Sequence, residues 1–546
     1  MRFRGLPALA LLLAAWTAPG HSAEPARKAP VPHFQTSDRC VACHNGLATS
    51  SGEDISIGFD WRPTMMANAA RDPYWQAAVR RETIDHPESR AAIENECSIC
   101  HMPMAQYESK LGGREGEVFA HLGFNPDERG DRLAADGVSC SLCHQIGTQK
   151  LGTRESFVGG FVIDPPAPQG ERREYGPFQP EAGHVRVMRT STGGFQPTQS
   201  PHIRQSEVCA TCHTLITKAL GPGGKVIGEL PEQVPYLEWL HSWYRDQRSC
   251  QSCHMPVVAE DVPISSVLGT PRAGVSRHVF TGGNFFMQRI FNRYRDELGV
   301  AALPRELTEA ADRTVAHLAT EAARVEIGPV ESRAGRLEIQ VSVRNLAGHK
   351  LPTAYPSRRA WLHVVVRDRN RRTVFESGAL NAAGSISGND NDADPTRYQP
   401  HHQVIASGAQ VQIYEAILAD QAGAVTTGLL KAVGHLKDNR LTPRGFDKRT
   451  ASKDVAVVGG ALEDGDFRDG GDRVQYSVAL GDAQGPFQIE AELYYQPVAY
   501  RWAENLRRYD AAEPRRFSAY YDAMAPASAV VLARATASMS PGSAPR

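Results

Sequence analysis

Five copies of one short motif hold every cysteine of the chain. Each copy reads Cys-x-x-Cys-His, and all five lie before residue 255. Two thiols at this spacing can add across the two vinyl groups on one edge of a porphyrin, and the imidazole that follows can then bind the iron. The pattern therefore predicts five covalently bound haems c. The predicted thioether cysteines and proximal histidines are Cys40, Cys43 and His44; Cys97, Cys100 and His101; Cys140, Cys143 and His144; Cys209, Cys212 and His213; and Cys250, Cys253 and His254.

Other uses of paired cysteines fit this pattern poorly. A zinc site takes four ligands from separate pairs, and a histidine directly after the second cysteine is badly placed to join that same pair. Disulfides would explain the even number of cysteines but not the five histidines. Redox motifs of the thioredoxin kind do not occur five to a chain.

The spacing of the motifs predicts that the haems share one core. The segment from Cys40 to His254 has 215 residues, or 43 for each motif. This is too little protein to give each haem a globular domain of its own. The haems are therefore expected to lie close together, so that single electrons can pass from iron to iron.

The histidines outside the motifs are candidates for the sixth ligand of each iron. For each one the alternative is a surface histidine or a hydrogen-bonded core histidine. His349 lies in a turn flanked by glycine and proline, which either directs it at a haem of the first domain or is purely structural. An iron left without a sixth ligand would be a catalytic centre instead. The candidate distal ligands are His86, His121, His202, His278 and His349, with His184, His241, His317 and Met65 as further candidates.

The start of the chain predicts export. Arg2 and Arg4 precede 11 apolar residues, Leu6–Trp16, which suit a signal peptide and are too short to span a bilayer. Small residues at positions 22 and 23 favour a signal peptide over residues 1–23 and a periplasmic, secreted or cell-surface protein. No later stretch reaches the ~18 apolar residues of a transmembrane helix.

The charge balance gives no sign of a nucleic-acid partner. The 546 residues include 60 basic and 61 acidic side chains, for a net charge of −1. Loss of Arg2 and Arg4 with the signal peptide changes the net charge to −3. A nucleic-acid-binding protein would normally be strongly basic.

The hydrophobic pattern changes along the chain and predicts several domains. Residues 24–300 read as a mainly α, loop-rich pentahaem cytochrome c domain, and residues 301–325 as a connector helix. Residues 326–546 alternate apolar and polar positions and predict an all-β, immunoglobulin-like sandwich with a helical tail and a loose end. The clearest predicted strands are Leu337–Val343, Trp361–Val366, Val474–Leu480 and Phe487–Leu493.

Two polar segments of this second half have distinctive compositions. Asn389–Asp394 groups carboxylates and amides as a calcium loop does, but it lacks the glycine and glutamate of an EF-hand, which favours a solvated loop. Lys437–Arg440 looks like a salt-bridged turn, to which we assign no chemistry.

The five-motif region, about residues 35–280, resembles a class of exported multihaem cytochromes. This class includes the tetrahaem electron acceptor of hydroxylamine oxidation, hydroxylamine oxidoreductase and pentahaem nitrite reductase. The similarity lies in the Met-Pro pairs after His101 and His254 and in the segment Val138–Ile146. The turn around His349 resembles that of bacterial multihaem cytochromes with an added C-terminal β domain. The resemblance implies periplasmic or surface electron transfer with mostly bis-histidine haems.

These features favour an electron-transfer protein over a catalyst, and no catalytic residue is assigned. The expected partners are redox proteins, one a respiratory donor and one a terminal acceptor. The alternative is a multihaem oxidoreductase with one open-coordination haem that acts on a small nitrogen or sulfur species. The chain has no Cys-x-x-Cys-Lys variant, which marks the active haem of pentahaem nitrite reductases. A third hypothesis is an interaction subunit that docks to a partner through the β domain.

Overall fold

The structure is a computed structural model, and it describes residues 1–2, 32–167 and 170–540. The predicted signal peptide, apart from its first two residues, lies outside the described residues. The α-helices are α1 Ser37–Val41, α2 Ile57–Trp61, α3 Pro73–Asp85, α4 Arg90–His101, α5 Pro103–Leu111, α6 Arg129–Ala135, α7 Cys140–Cys143, α8 Ala182–Thr192, α9 Ser206–Ala210, α10 Pro235–Leu240, α11 Cys250–His254, α12 Phe285–Arg293, α13 Pro304–His317, α14 Asp390–Ala393, α15 Tyr500–Leu506 and α16 Ala512–Met524.

The strands are divided between the two halves of the chain. The strands of the first half are β1 Arg172–Gly176, β2 Phe195–Gln199, β3 Leu215–Leu220 and β4 Val226–Gln233. Those of the second half are β5 Ala323–Arg333, β6 Arg336–Asn345, β7 Arg359–Arg367, β8 Thr373–Ser377, β9 Val404–Ile405, β10 Ile413–Tyr414, β11 Ala416–Asp420, β12 Val425–Thr426, β13 Ala432–Asp438, β14 Gly471–Ala479, β15 Phe487–Gln496 and β16 Val530–Met539.

Short helices carry the cysteine motifs in the first half. The motifs lie on α1, α4, α7, α9 and α11 or at their ends. Residues three apart on a helix share a face, so both thiols of a motif point to the same side. Two two-stranded sheets, β1–β2 and β3–β4, lie between these helices in the sequence. The structure therefore agrees with the prediction of a helical, loop-rich first half.

Helix α3 shows how the sequence sets one of these elements. Asp72 caps its N-terminus by accepting hydrogen bonds from the backbone N–H groups of Tyr74 and Trp75 at 2.8 and 3.2 Å. Pro73 occupies the first turn, where a missing N–H costs nothing. The helix packs against α4 and α16, and thus lies between the two halves.

The second half contains a small sheet with the strand order β12-β11-β13 and two larger sheets that share one core. One sheet has the strand order β5-β6-β14-β9, and the other β10-β7-β15-β16 with β8 on β7. Alternate residues of β6, such as Leu337 and Ile339, are fully buried, as are Leu362 and Val364 of β7. These side chains belong to one continuous hydrophobic cluster. All four strands named from the sequence are confirmed as β6, β7, β14 and β15.

The connecting helix is shorter than residues 301–325. Helix α13 ends at His317, one π-turn follows, and β5 begins at Ala323. Residues 323–325 instead pair with residues 343–345 of β6. Ala323 is thereby completely buried, so sheet pairing overrides the helical pattern there.

The expectation of a loose C-terminal end is wrong for residues 530–539. These residues form β16, which pairs antiparallel with β15 from Met539 to Val530. Small side chains such as Ala535 pack against the core, while Arg534 and Thr536 face solvent. An alternation built from alanine is a weak signal, because alanine also suits a flexible tail. Residues 541–546 lie outside the described part of the chain.

The two halves contact each other through ion pairs as well as packing. Arg80 of α3 forms two 2.9 Å bonds to Glu513 of α16. Lys431 pairs with Asp85 at 2.8 Å. Within residues 32–167 and 170–540, no helix is both long and apolar enough to cross a bilayer.

Candidate functional site

A single cavity of about 1370 Å³ collects all five cysteine motifs. Every one of the ten cysteines and five following histidines lines it, although they are spread over 215 residues of sequence. Ordinary small-molecule sites occupy roughly 300–1,000 Å³. The fold therefore brings the motifs to one large internal site, as their spacing predicted.

Backbone carbonyl groups orient four of the five motif histidines. The Nδ1 atoms of His44 and His101 lie 2.5 and 3.0 Å from the carbonyl oxygens of Ile264 and Ala69. His144 and His254 make the same contact at 2.6 and 2.5 Å. A histidine whose Nδ1–H donates to a carbonyl presents Nε2 as a lone-pair donor, which is the usual arrangement of a metal ligand.

Burial keeps several of these imidazoles in the neutral form. It lowers the pKa of His44 and His144, and it lowers the pKa of both His101 and His213 to about 4. Only the neutral imidazole can bind a metal ion. The donor set of the cavity thus fits covalently held haem, with two thiols and one neutral imidazole in each motif.

The thiols of different motifs lie next to each other. Hydrogen bonding to Cys140, together with burial, raises the pKa of Cys40 well above its usual range. Cys212 has the same effect on Cys100, and Cys250 on Cys209. The motif at Cys209 therefore adjoins those at Cys97 and Cys250, and the motif at Cys140 adjoins that at Cys40.

One more electrostatic interaction connects these motifs. Cys212 is close enough to Cys143 to raise the pKa of that thiol, after burial, which is the larger cause. The motif beginning at Cys209 thus lies in the middle, next to three others. Every motif is adjacent to at least one other around the cavity wall.

Two histidines face motif histidines across the cavity. The ring centroids of His144 and His278 are 6.3 Å apart with planes inclined by 21°, and those of His254 and His349 are 6.2 Å apart with planes inclined by 17°. Two metal–imidazole bonds of about 2 Å, with about 1.1 Å from each nitrogen to its ring centre, require a centroid separation of about 6.2 Å. Both pairs therefore have the spacing needed to hold one iron between them.

The second nitrogens of these facing histidines are also anchored. Nδ1 of His278 lies 3.2 Å from the carbonyl oxygen of Ser276, and Nδ1 of His349 lies 2.9 Å from that of Lys350. Burial lowers the pKa of both imidazoles, that of His278 to about 3. Both side chains line the cavity, and His349 reaches it from the second half of the chain.

The structure places the other three candidate distal ligands away from the cavity wall. His202 is buried, with Nε2 2.7 Å from the carbonyl oxygen of Ile146 and Nδ1 2.6 Å from the Ser200 hydroxyl. His121 contacts Asp131 at 2.7 Å. His86 is buried, and its Nε2 has no hydrogen-bond partner among the described residues.

Several other side chains line the cavity beside the motifs. His184, His317 and Met65, which the sequence offered as further candidates, are among them. Trp75 stacks on His101 with ring centroids 4.2 Å apart. Arg358 also lines the cavity and forms no ion pair with any described residue. Nothing in the sequence around Trp75 or Arg358 distinguishes either residue.

The acidic segments of the second half are occupied by contacts within the protein. In the segment Asn389–Asp394, Asp392 binds Arg359 at 2.8 Å and Asp390 binds Arg397 at 3.0 Å. Asn389, Asn391 and Asp392 are buried, so this is not the solvated loop that the sequence favoured.

A buried group of His401, Asp464 and Asp472 has the residue types of a metal site. Nδ1 of His401 accepts hydrogen bonds from the side-chain amides of Gln412 and Asn439 at 2.9 and 3.1 Å. The ring proton therefore sits on Nε2, 3.0 Å from Asp464. Because that nitrogen has no lone pair to give a metal, the group is a closed hydrogen-bond network.

Comparison with known proteins gives one structural relative. No protein-family model matches the chain, and no curated protein matches it. A solved structure described as a penta-heme cytochrome c552 from Thermochromatium tepidum is similar, with a TM-score of 0.53 and 15% sequence identity. The match covers 94% of this chain and 100% of that one. The chain has the fold of a penta-haem cytochrome. At this identity the likeness shows the fold alone.

Proposed function

We propose that the chain is an exported pentahaem c-type cytochrome that carries single electrons between a respiratory donor and a terminal acceptor. The observation that carries the proposal is the lining of one cavity by all fifteen motif residues. Bound haem would supply reversible one-electron chemistry at iron. The protein would hold the haems close together and exclude water from between them.

Each motif has the same set of roles in this proposal. Its two cysteines form thioether bonds, and its histidine is the proximal ligand. His278 and His144 would bind the same iron, and His349 and His254 would bind another. His86, His121 and His202 do not line the cavity, and we do not propose them as ligands.

The contacts between motifs support an order of electron transfer. The motif at Cys40 would hold its haem beside the one held by the motif at Cys140, which in turn adjoins the motif at Cys209. The haem at Cys209 would in turn be next to those at Cys97 and Cys250. The path is therefore branched, and the haem at Cys209 is its junction.

The β half would have a direct part in this function. Its two larger sheets, with the strand orders β5-β6-β14-β9 and β10-β7-β15-β16, support an immunoglobulin-like arrangement, in which the strands A-B-E-D face C-F-G. Two features differ from that arrangement: β10 is added beside β7, and β9 runs parallel to β14. Its turn at residues 345–353 supplies His349 to the cavity. The outer face of this half is then available for docking a redox partner.

The haem count tests the proposal. A pyridine haemochrome assay on the purified protein is expected to give five haems per chain. A Cys209→Ser and Cys212→Ser variant is expected to give four. A count below five in the unchanged protein would overturn the proposal.

The surroundings of His213 favour a second candidate, an oxidoreductase with one open haem. Arg358 is close enough to His213 to contribute to its lowered pKa, after burial and His254. A guanidinium without an ion-pair partner among the described residues can bind a small anion such as nitrite. In an EPR spectrum, a high-spin signal that shifts on adding nitrite or hydroxylamine would support this candidate. Low-spin signals alone would support the electron carrier.

A further inference from the structure

A buried carboxylate of the first half holds the turn that carries His349. Glu238 lies on α10 and is fully buried. Its Oε2 accepts hydrogen bonds from the backbone N–H of Lys350, at 3.1 Å, and from the hydroxyl of Thr353. Its Oε1 lies 3.0 Å from the guanidinium of Arg440. All three partners belong to the second half, and two of them follow His349 within four residues.

The same turn is also held by a cluster of buried charged side chains. The ammonium of Lys350 lies 2.7 Å from Asp438, and Arg440 binds that same carboxylate at 2.9 and 2.7 Å. With Glu238 this makes two cations and two anions, all buried. A buried charge that loses its partner is strongly destabilised, so the four groups hold one arrangement.

Further hydrogen bonds and close packing hold the rest of the turn. The side-chain amide of Asn345 donates to the carbonyl oxygen of His349 at 2.8 Å. The Tyr244 hydroxyl donates to the carbonyl oxygen of Leu346 at 2.8 Å. Gly348 packs so closely that a Cβ there would lie 3.4 Å from the side chains of Trp239 and Tyr244.

The two histidines that would share one iron, His254 and His349, are therefore both positioned by contacts with α10. The chain runs from α10 through Trp243 and Arg248 to α11, which carries His254. The indole of Trp239 donates to the carbonyl oxygen of Arg248 at 2.9 Å and so fastens this segment to α10. On its other side, Glu238 fastens the His349 turn to the same helix.

We propose that Glu238 is a positioning residue that keeps His349 opposite His254, and so sets the coordination of the haem at Cys250. Docking of the β half onto α10 would thus be a condition for six-coordination at that iron. This inference rests on the proposed function, because it requires a haem between the two histidines.

Glu238→Ala is the test, with Glu513→Ala as its matched control. Glu513 is also a buried carboxylate that joins the halves, but its partner is Arg80 of α3, which lies outside the His349 turn. Relative to the unchanged protein, the EPR spectrum of Glu238→Ala is expected to gain a high-spin ferric signal worth one haem of the five. Glu513→Ala is expected to gain none. His349→Ala should show the same signal, and added imidazole should return both to low spin.

The outcomes separate this inference from the proposed function. If Glu238→Ala has the same spin state as Glu513→Ala, the inference is overturned, while five haems per chain leave the proposed function intact. If Glu238→Ala does not fold, Glu238→Gln is compared with Glu513→Gln on heating. The Glu238→Gln protein is expected to lose low-spin signal at a lower temperature, and equal temperatures would overturn the inference.

Discussion

The two halves of the molecule bury their interiors in different ways. In the β half, side chains from both sheets, such as Ile339 and Leu362, close into one continuous core. In the first half, the motif residues instead surround a cavity of about 1370 Å³. Protein interiors are normally packed with few voids larger than a water molecule. The comparison indicates that the β half is stabilised by close side-chain packing, to which residues near the end of the first half such as Phe286 contribute, whereas the motif region is organised around bound groups.

Preventing haem attachment should cause the largest difference in stability between the two halves. Full-length chain produced without haem insertion is expected to lose the fold of the first half, because the cavity walls would have nothing to pack against. Limited proteolysis read by mass spectrometry should then find cuts throughout residues 40–254, with the sheets of residues 323–540 protected. The haem-loaded protein is the control. Equal protection of both regions would contradict the contrast.

The buried charges behind the His349 turn should have the next largest effect. Asp438→Asn leaves Lys350 and Arg440 without a carboxylate that both contact, and it is expected to lower the free energy of unfolding by about 3–5 kcal/mol. The exposed pair of Arg305 and Glu309 gives the comparison, since Glu309→Gln is expected to cost less than about 1 kcal/mol. Urea unfolding followed by circular dichroism measures both. Similar costs would show that burial does not distinguish the two pairs.

The smallest of these effects concerns Asp72, which caps α3 and lines the cavity. Burial raises the pKa of Asp72 from 3.8 to about 6. The pKa of Asp72 is higher in the folded state than in the unfolded state. The stability that its carboxyl group contributes is therefore complete below about pH 4 and is lost as the pH rises through about 6. Asparagine caps a helix as well as aspartate does, so Asp72→Asn isolates the charge.

The expected result for Asp72→Asn is a stability advantage that depends on pH. Between about pH 4.5 and about pH 7.5, the difference in unfolding free energy from the unchanged protein should grow by about 2 kcal/mol in favour of the variant. Urea titrations at the two pH values measure it. A difference that stays constant with pH would show that Asp72 keeps its ordinary pKa.

The sequence was most informative where the chemistry is local. Thioether attachment requires a fixed spacing of two thiols and an imidazole, and the five motifs could be found without any knowledge of the fold. The strands around Ile339 and Val364 could be predicted because one face of each sheet is buried and the pattern repeats every second residue. His278 and His349, named from their local context, line the cavity opposite motif histidines.

Features that depend on long-range packing could not be predicted in the same way. His202 has the same kind of local context as His278, yet a carbonyl and a hydroxyl 56 and two residues away occupy its two nitrogens. Glu238 is one glutamate in a short helix, and its role arises only from contacts more than 100 residues away in the chain. Asp438 lies in a segment to which we assigned no chemistry from its local pattern, and its bond to Lys350 spans 88 residues of sequence.

Intact-mass spectrometry of the mature protein tests the central claim most directly. The account predicts a mass that exceeds that of the polypeptide by five haem groups, with one group on each cysteine-pair peptide after proteolysis. A protein that carries the unmodified polypeptide mass, or that leaves any of the five pairs as free thiols or as disulfides, would contradict it.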